Sequence, residues 1–284
     1  MQRKKLLLQN LTNLKLETVV LQVTTKCPYS CPQCYMKRGD SDMAFDIAKK
    51  VIDDAVKLGA QAVQLTGGEP LVNPHIFDII QYASERGLLT LLATSGYACF
   101  EETFKKLSKS GLTAMCVSIN GISESVNAKS RMPFEEALNT LRIAKRYNIF
   151  CFLNVVVTDD NVDEIATLGI YAKQNNIVSV NLLRPVPSND EKYKPSLSAD
   201  TIAKLVKITT QNAEALELFN IEGCFREYWE SLRGTEFCCR DIGKTTYFVN
   251  VDGSVSPCSK TTRYKYNSLS EMLDKYEDWR RGCL

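Results

Sequence analysis

"TVVLQVTTKCPYSCPQCYM", residues 18–36, decides how the rest of the chain is read. Its first seven residues are apolar and rich in β-branched side chains, which predicts a strand over 18–24. The strand runs into Cys27, Cys31 and Cys34, a C-x3-C-x2-C run within eight residues. Pro28 and Pro32 each follow a cysteine and push it out of the helical region, so the segment is a loop able to wrap around a bound group. Three thiols at this spacing suit an iron–sulfur cluster. A structural zinc site usually takes a fourth ligand, often a histidine. The chain has one histidine, His75, at the start of a later helix, where capping or packing accounts for it. Three cysteines on a four-iron cluster leave one iron without a protein ligand, the open position that a catalytic metal offers its substrate.

Downstream, strands alternate with helices. In "AFDIAKKVIDDAVKLG" (44–59) the apolar residues Phe45, Ala48, Ile52, Ala55 and Val56 recur at helical spacing, and Gly59 ends the run as a C-cap. "AQAVQLT" (60–66) is the next strand, and "HIFDIIQYASERG" a helix ending at Gly87. "LLTLLAT", "LTAMCVSI", "NIFCFLNVVV" and "VSVNLLR" are further strands, with helices expected near 101–110, 133–147 and 161–175. Asp160 or Asn161 is placed to cap the last of these. The result is six βα-type units ending near Arg184, which implies a parallel sheet with right-handed crossovers. Several strands are continuously apolar, as when both sheet faces are covered. The sheet is either open and doubly wound or curled into a partial barrel. Both place the site at the C-terminal ends of the strands.

The pattern breaks at "RPVPSNDEKYKPSLS" (184–198), whose three prolines mark a linker. A helix follows at about 199–218. The remainder is cysteine-rich, and "TYFVNV" turns at Asp252-Gly253 to return through "SVSPC", a hairpin signal. The expected divisions are 1–184, 185–218 and 219–284.

Composition narrows the partners. Apolar residues make up 44% and charged residues 24%, with a net charge of +2. No basic tract is dense enough for nucleic acid. No apolar run is long enough to span a bilayer, and the N-terminus lacks the pattern of a signal peptide. The expected compartment is the cytoplasm, where thiols stay reduced. Eleven cysteines, an odd number, then fit a disulfide framework poorly. Cys116 and Cys151 sit in apolar strands as small buried hydrophobes, and Cys99 has no evident role.

The triplet after strand one of a βα repeat resembles the radical SAM enzymes. That resemblance implies a partial (β/α)6 barrel, a [4Fe–4S] cluster on Cys27, Cys31 and Cys34, and S-adenosylmethionine on the open iron. "LTGGEP" (65–70) resembles the family's GGE segment, which implies that Gly67, Gly68 and Glu69 approach the cofactor. Glycines there let a backbone come close, and Glu69 or neighbouring carbonyls can accept from an ammonium group. "VSINGI" (117–122) and "KSRMPFEEAL" (129–138) resemble the VSIDG and RG segments, which implies that Ser118 and Arg131 hold the carboxylate of S-adenosylmethionine. Asn154 matches a strand-five position near the ribose; ordinary hydrogen bonding at a strand end would also explain Ser118 and Asn154. Two residues depart from the family pattern. The position before Cys34, usually aromatic, is Gln33, and the VSIDG aspartate is Asn120.

Cys239, Gly253 and Cys258 form C-x13-G-x4-C, which resembles the opening of the SPASM and Twitch extensions that hold auxiliary clusters. "YNSLSEMLDKYEDWRRGC" resembles the helix that follows, ending at Cys283. The resemblance implies a second [4Fe–4S] cluster on Cys239, Cys258 and Cys283, with Cys238, Cys224 or an external group as fourth ligand. It implies a peptide-modifying enzyme of ribosomal peptide maturation, by epimerisation or crosslinking, with an external flavodoxin- or ferredoxin-type electron donor. A radical dehydrogenase of a small-molecule alcohol is the alternative. Only about 17 residues precede strand one, so a peptide would be recognised by the barrel and extension or through a separate protein. A non-catalytic iron–sulfur carrier or a zinc module would explain the cysteines, but neither requires six βα units with a glycine pair and an arginine at one mouth. Cys224, in "NIEGCFREYW", is read as an auxiliary ligand, a buried hydrophobe, or a thiol that returns a hydrogen atom to a substrate radical, as is thought of some peptide epimerases in the family.

Overall fold

The apolar runs form strands because alternate side chains can be buried on both faces of one sheet, and the helical stripes supply the cover. The computed structural model describes residues 18–131, 134–186, 197–210, 218–221, 225, 246–260 and 264–275. The chain folds as two compact units, one built from 15–28, 36–115 and 238–284, the other from 1–14, 29–35 and 116–237. It passes between them inside the cysteine loop and again inside strand β4 (Ala114–Ser118).

The first unit holds β1 (Thr18–Thr24), α1 (Phe45–Lys57), β2 (Ala62–Gly67), α2 (Ile76–Glu85), β3 (Leu89–Thr94) and α3 (Glu101–Lys109). β1 pairs in parallel with β2, and β2 with β3. Val19, Leu21, Val23, Val63 and Leu65 are fully buried. α1 buries Ala48, Val51, Ile52 and Ala55, while Val56, expected on the apolar face, lies at the surface. At 100° per residue Val51 sits nearer the centre of the stripe set by Ala48, Ile52 and Ala55. His75 occupies the N-cap position of α2 without capping it through its side chain. Its ring stacks on Phe45 at 6.3 Å between centroids, so packing is its role.

The predicted hairpin is β8 (Thr246–Val249) and β9 (Val255–Ser256), antiparallel, with Gly253 at φ +86° in the turn. Asp252 accepts from the Ser254 amide at 2.9 Å and closes the turn. The pairing of β8 on its other side has no local signal in the sequence. It runs parallel beside β1, with Val19 opposite Tyr247 and Leu21 opposite Val249. The strand order in this unit is therefore β3-β2-β1-β8-β9. β8 satisfies an edge of β1 that would otherwise present unpaired amides. A short helix, α8 (Leu269–Asp274), follows and buries Leu269 and Met272.

In the second unit the chain leaves β4 through α4 (Glu124–Asn127) and α5 (Phe134–Arg146) to β5 (Phe150–Val156). α6 (Ile165–Gln174), β6 (Val180–Leu183), α7 (Ala199–Thr210) and β7 (Phe219–Ile221) follow. β5, β6 and β7 pair in parallel. Neither β7 nor α4 is among the elements expected from the sequence. One face of these strands is closed by helices: Leu153, Val180 and Leu182 are fully buried, and the Phe219 ring lies where a side chain on Gly169 of α6 would stand. Asn161 does not cap the helix after β5. Its amide donates to the Val156 carbonyl at 2.7 Å, its oxygen accepts from the Thr158 amide at 2.9 Å, and a 3-10 turn, Val162–Glu164, precedes α6. Cys116 and Cys151 are buried as expected, and burial pushes both thiols up to about 12. Among the described residues no helix is long and apolar enough to cross a membrane.

Candidate functional site

In the first unit the site begins where β1 ends. The return segment 39–43 holds that end in place. Thr24 donates its hydroxyl to Asp42 at 2.7 Å, Lys26 pairs with the other Asp42 oxygen at 2.7 Å, and the Thr25 amide donates to the Ser41 carbonyl at 2.8 Å. Cys27 leaves from this braced end, half-buried, on one wall of an open cleft of about 600 Å³.

Gly67 and Gly68 lie against the same piece of backbone. A Cβ on Gly67 would stand 2.3 Å from the Thr24 carbonyl oxygen. On Gly68 it would stand 2.0 Å from the Lys26 carbonyl oxygen and 3.0 Å from Cys27 Cβ. Two main-chain bonds lock the contact: the Gly68 amide donates to Thr24 at 2.9 Å and the Glu69 amide to Lys26 at 2.8 Å. The glycine pair therefore serves first to let the backbone that carries Cys27 approach β2.

Glu69 is 1% exposed. Its carboxylate accepts from the Thr94 hydroxyl at 2.8 Å, the Ser95 amide at 2.9 Å, the Ser95 hydroxyl at 2.6 Å and the Leu71 amide at 3.3 Å. Burial raises its pKa against these donors. A carboxylate so engaged ties the end of β3 to the turn after β2. The acceptors this segment has left for an ammonium group are its main-chain carbonyls.

Of the C-terminal cysteines, Cys258 lies just after β9 in the first unit, half-buried, and its sulfur accepts the Lys260 amide at 3.4 Å. Cys224, Cys238, Cys239 and Cys283 lie outside the described residues.

In the second unit Cys31 and Cys34 are half-buried and joined by a bond from the Cys34 amide to the Cys31 carbonyl at 3.1 Å. Tyr29 donates its hydroxyl to Glu136 and so fastens this loop to the first turn of α5. Between the two cysteines Gln33 is 6% exposed, and among the described residues neither its Oε1 nor its Nε2 has a hydrogen-bond partner.

Ser118 ends β4, and the loop after it is pinned from three directions. The Asn120 amide group donates to Ser130 Oγ at 2.7 Å, its side-chain oxygen accepts from the Val156 amide at 2.9 Å, and its own main-chain amide donates to Asn127 Oδ1 at 2.8 Å. Arg131, half-buried, follows Ser130, and its main-chain amide donates to the Asn127 carbonyl at 2.8 Å. Glu164, unremarked in the sequence, accepts from the Ile122 and Ser123 amides at 2.7 and 3.2 Å and from the Ser123 hydroxyl at 2.5 Å. A Cβ on Gly121 would stand 2.7 Å from that carboxylate, which is why a glycine stands there.

Asn154 is the first of a row. Asn181 donates to its side-chain oxygen at 2.9 Å, and Asn220 donates to Asn181 at 3.2 Å. The three occupy matching register positions on β5, β6 and β7, on the face opposite the helix-covered Leu153, Val180 and Phe219. The available signal was one asparagine in each of two apolar strands, meaningful only once the register is known.

Among the described residues no three His, Cys, Asp or Glu side chains converge closely enough to hold a single metal ion. The thiolates of a four-iron cluster bind different irons and need no such convergence. The donor chemistry does suit a cluster: soft thiolates on a braced loop and glycines that admit close backbone.

Comparison with known proteins places the chain. The model of the radical SAM superfamily matches residues 21–169, more than half of the 284. The AdoMet-dependent heme synthase of Methanosarcina barkeri is 29% identical over 180 residues, 60% of this chain and 51% of that protein. The PqqA peptide cyclase of Bradyrhizobium diazoefficiens is 24% identical over 256 residues, 84% of this chain and 66% of that one. The chain thus spans between half and two thirds of the length of these relatives. Crystal structures of Streptococcus suis SuiB, bound to S-adenosylmethionine and to the precursor peptide SuiA, are similar with TM-scores of 0.76 and 0.73. Both are 18% identical and cover 99% of this chain and 70% and 69% of theirs, and the fold class expected from the sequence is the class of these structures. By its family match and its fold, this chain belongs to the radical SAM superfamily.

Proposed function

We propose that the chain is a peptide-modifying radical SAM enzyme in which Cys27, Cys31 and Cys34 hold the cluster. Membership of the family implies a [4Fe–4S] cluster and S-adenosylmethionine. When bound and reduced, the cluster supplies the electron that cleaves S-adenosylmethionine to a 5′-deoxyadenosyl radical, which takes a hydrogen atom from the substrate. The residues of this chain bind and orient. The carbonyls beside Gly67 and Gly68 accept from the ammonium group, Arg131 and Ser118 take the carboxylate, and Asn154, steadied by Asn181, meets the ribose. Glu69 acts behind them by fixing the turn in which the glycines lie.

The observation that carries this reading is the clasp at the end of β1. Gly68 is held so close to the Lys26 carbonyl that no other residue fits, and the clasped backbone is the one that presents Cys27. A zinc module or electron carrier has no need of a glycine pair on the next strand. A peptide substrate is supported by the PqqA peptide cyclase and by SuiB with its precursor peptide. The reaction is a hydrogen abstraction leading to epimerisation or crosslinking in ribosomal peptide maturation, with an external flavodoxin- or ferredoxin-type donor. Cys239, Cys258 and Cys283 hold a second cluster, and Cys224 returns the hydrogen atom. The main-chain amide donating to Cys258 Sγ is the kind of bond that stabilises a ligating thiolate.

The test is the anaerobically purified protein. Two four-iron clusters give about eight irons per chain, and reduction with S-adenosylmethionine releases 5′-deoxyadenosine. Replacing Cys27, Cys31 and Cys34 together by Ala should abolish that release and leave about half the iron. Continued release from the triple variant, or colourless protein with stoichiometric zinc, would refute the assignment. Turnover of a small alcohol in place of any peptide would transfer the enzyme to the dehydrogenase reading.

A further inference from the structure

The asparagine row across β5, β6 and β7 is unfinished at its β7 end. Strands are depleted in asparagine, yet Asn154, Asn181 and Asn220 occupy matching register positions on three adjacent strands. Asn181 Oδ1 accepts twice, from Asn220 Nδ2 at 3.2 Å and from the Ser179 hydroxyl at 3.2 Å, so both of its lone pairs are used. That fixes the order of the amides. The nitrogen of Asn220 is turned to Asn181, and the nitrogen of Asn181 to Asn154 at 2.9 Å. Among the described residues Asn220 keeps one side-chain N–H and its whole side-chain oxygen unengaged. Bracing of the sheet explains the two bonds between strands and gives that oxygen nothing to do.

The same sheet face is apolar around the row. By strand alternation Phe152 lies on it before Asn154, and Val156 and Leu183, opposite each other in register, lie on it after the row. Phe152 is buried, and Val156 and Leu183 are half-buried. The face therefore offers neutral hydrogen bonds set among apolar side chains. A carboxylate only accepts and an ammonium group only donates, so either leaves half of the Asn220 amide unmatched. A hydroxyl meets the amide through a single atom. One residue of an extended peptide presents its N–H and its C=O side by side, as in an antiparallel pair, and matches both halves.

We propose that Asn220 holds the main chain of the peptide substrate, accepting from a peptide N–H through Oδ1 and donating through Nδ2 to the carbonyl of the same residue. The proposal rests on the peptide-modifying reading of the preceding subsection and names a substrate contact for it. Strands about 4.8 Å apart put Asn220 about 10 Å from Asn154, which is assigned above to the ribose. An extended chain advances about 3.3 Å per residue, so the residue held at β7 lies within about three residues of the one that meets the cofactor. A main-chain contact is blind to side chains. It sets which residue of the peptide is presented, through register and not through sequence.

The probe can therefore be a peptide without side chains. Ligand-observed NMR titration of the anaerobic, cluster-loaded protein, with S-adenosylmethionine present, compares acetyl-hexaglycine amide with acetyl-hexasarcosine amide, whose residues carry N-methyl in place of N–H. The preference for hexaglycine, as a ratio of dissociation constants, should be about three- to tenfold larger in the wild type than in Asn220→Leu, which keeps the volume and loses the amide. Effects of N-methylation elsewhere along the peptide are common to both proteins and cancel. Each ratio is taken within one preparation, so partial misfolding of the variant lowers the number of sites without changing it. Calorimetric affinity for S-adenosylmethionine should agree between the two proteins within about twofold. Equal ratios overturn the role of Asn220 and leave the peptide reading standing, since the wild type still binds hexaglycine. A variant that loses affinity for S-adenosylmethionine by the same factor as for hexaglycine also overturns it, because the row then only braces Asn154. A wild type that binds neither peptide overturns the role and the peptide reading together.

Discussion

Replacing Gly68 by Ala should cost the protein the cluster on the β1 loop. The new methyl would stand 2.0 Å from the Lys26 carbonyl oxygen, 2.5 Å from its carbon and 3.0 Å from Cys27 Cβ. Ordinary contact begins at 3.4 Å, so the carbonyl must retreat by more than an ångström. It cannot do so alone, because it accepts the Glu69 amide at 2.8 Å while Thr24, two residues earlier, accepts the Gly68 amide at 2.9 Å. Breaking both bonds costs about 2 kcal/mol, and the residual overpacking adds roughly 1–3 kcal/mol. The expected loss is about 3–5 kcal/mol, with Cys27 displaced. Gly87→Ala is the control, since φ there is +82° and nothing lies within 4 Å of the added carbon, leaving a backbone cost of about 1–2 kcal/mol. Denaturant melts measure the stabilities, and iron analysis with visible absorbance after anaerobic reconstitution measures the cluster. Gly68→Ala should lose about half the iron and all 5′-deoxyadenosine release, and Gly87→Ala should keep both. A Gly68→Ala protein with full iron, or one as stable as Gly87→Ala, would refute the clasp.

Arg131→Ala should weaken S-adenosylmethionine binding by roughly ten- to a hundredfold, the worth of one charge-assisted contact, with little change in thermal midpoint; unchanged affinity by calorimetry removes Arg131 from the site. Glu69 is a buried acid whose pKa is raised by desolvation. Its protonated form is favoured in the folded state, so stability falls as pH rises from the ordinary glutamate value of 4.5 through the raised folded value. Relative to Glu69→Gln, which does not titrate, the wild type should therefore lose ground as pH climbs from about 4.5 towards neutrality; a difference that is flat or opposite in sign across denaturant melts in that window contradicts the burial argument. Cys224→Ala separates three roles: normal iron and continued S-adenosylmethionine cleavage without inverted product for a hydrogen donor, lost auxiliary iron for a ligand, and intact activity with modest destabilisation for a core thiol. Either of the last two outcomes rules out the donor.

Strands with local signals were legible in advance, and those that depend on distant partners were not. "TVVLQVT" and "AQAVQLT" form strands within two residues of expectation because β-branched runs carry their own preference, and Asp252-Gly253 turns where predicted because Gly253 takes φ +86° without cost. Nothing local says that β8 will lie beside β1, more than 220 positions earlier. β7 is three residues long and is defined by its partner β6 alone. The same division holds at the site. The cysteine run and the Gly-Gly-Glu turn are contiguous and visible. Three of the four donors that occupy Glu69 stand 25 and 26 residues away, and Glu164 reaches back 41 and 42 residues to the loop after β4. Charged residues that brace a loop look in sequence like charged residues that bind.

The two departures from the family pattern, Gln33 and Asn120, are both carboxamides, and the structure gives them different standing. Asn120 is 1% exposed and its side chain uses both halves of the amide: it donates to Ser130 next to Arg131 and accepts from Val156 at the end of β5. An aspartate could still accept from Val156, but it would have to take the Ser130 hydroxyl as donor and would hold a charge in a buried loop. The asparagine joins the Arg131 segment to the strand of Asn154 without that charge. Gln33 has the same chemistry and, among the described residues, none of the partners. One amide completes the protein's own scaffold, and the other finds no partner among the described residues, so the same kind of substitution is braced at one position and unbraced at the other.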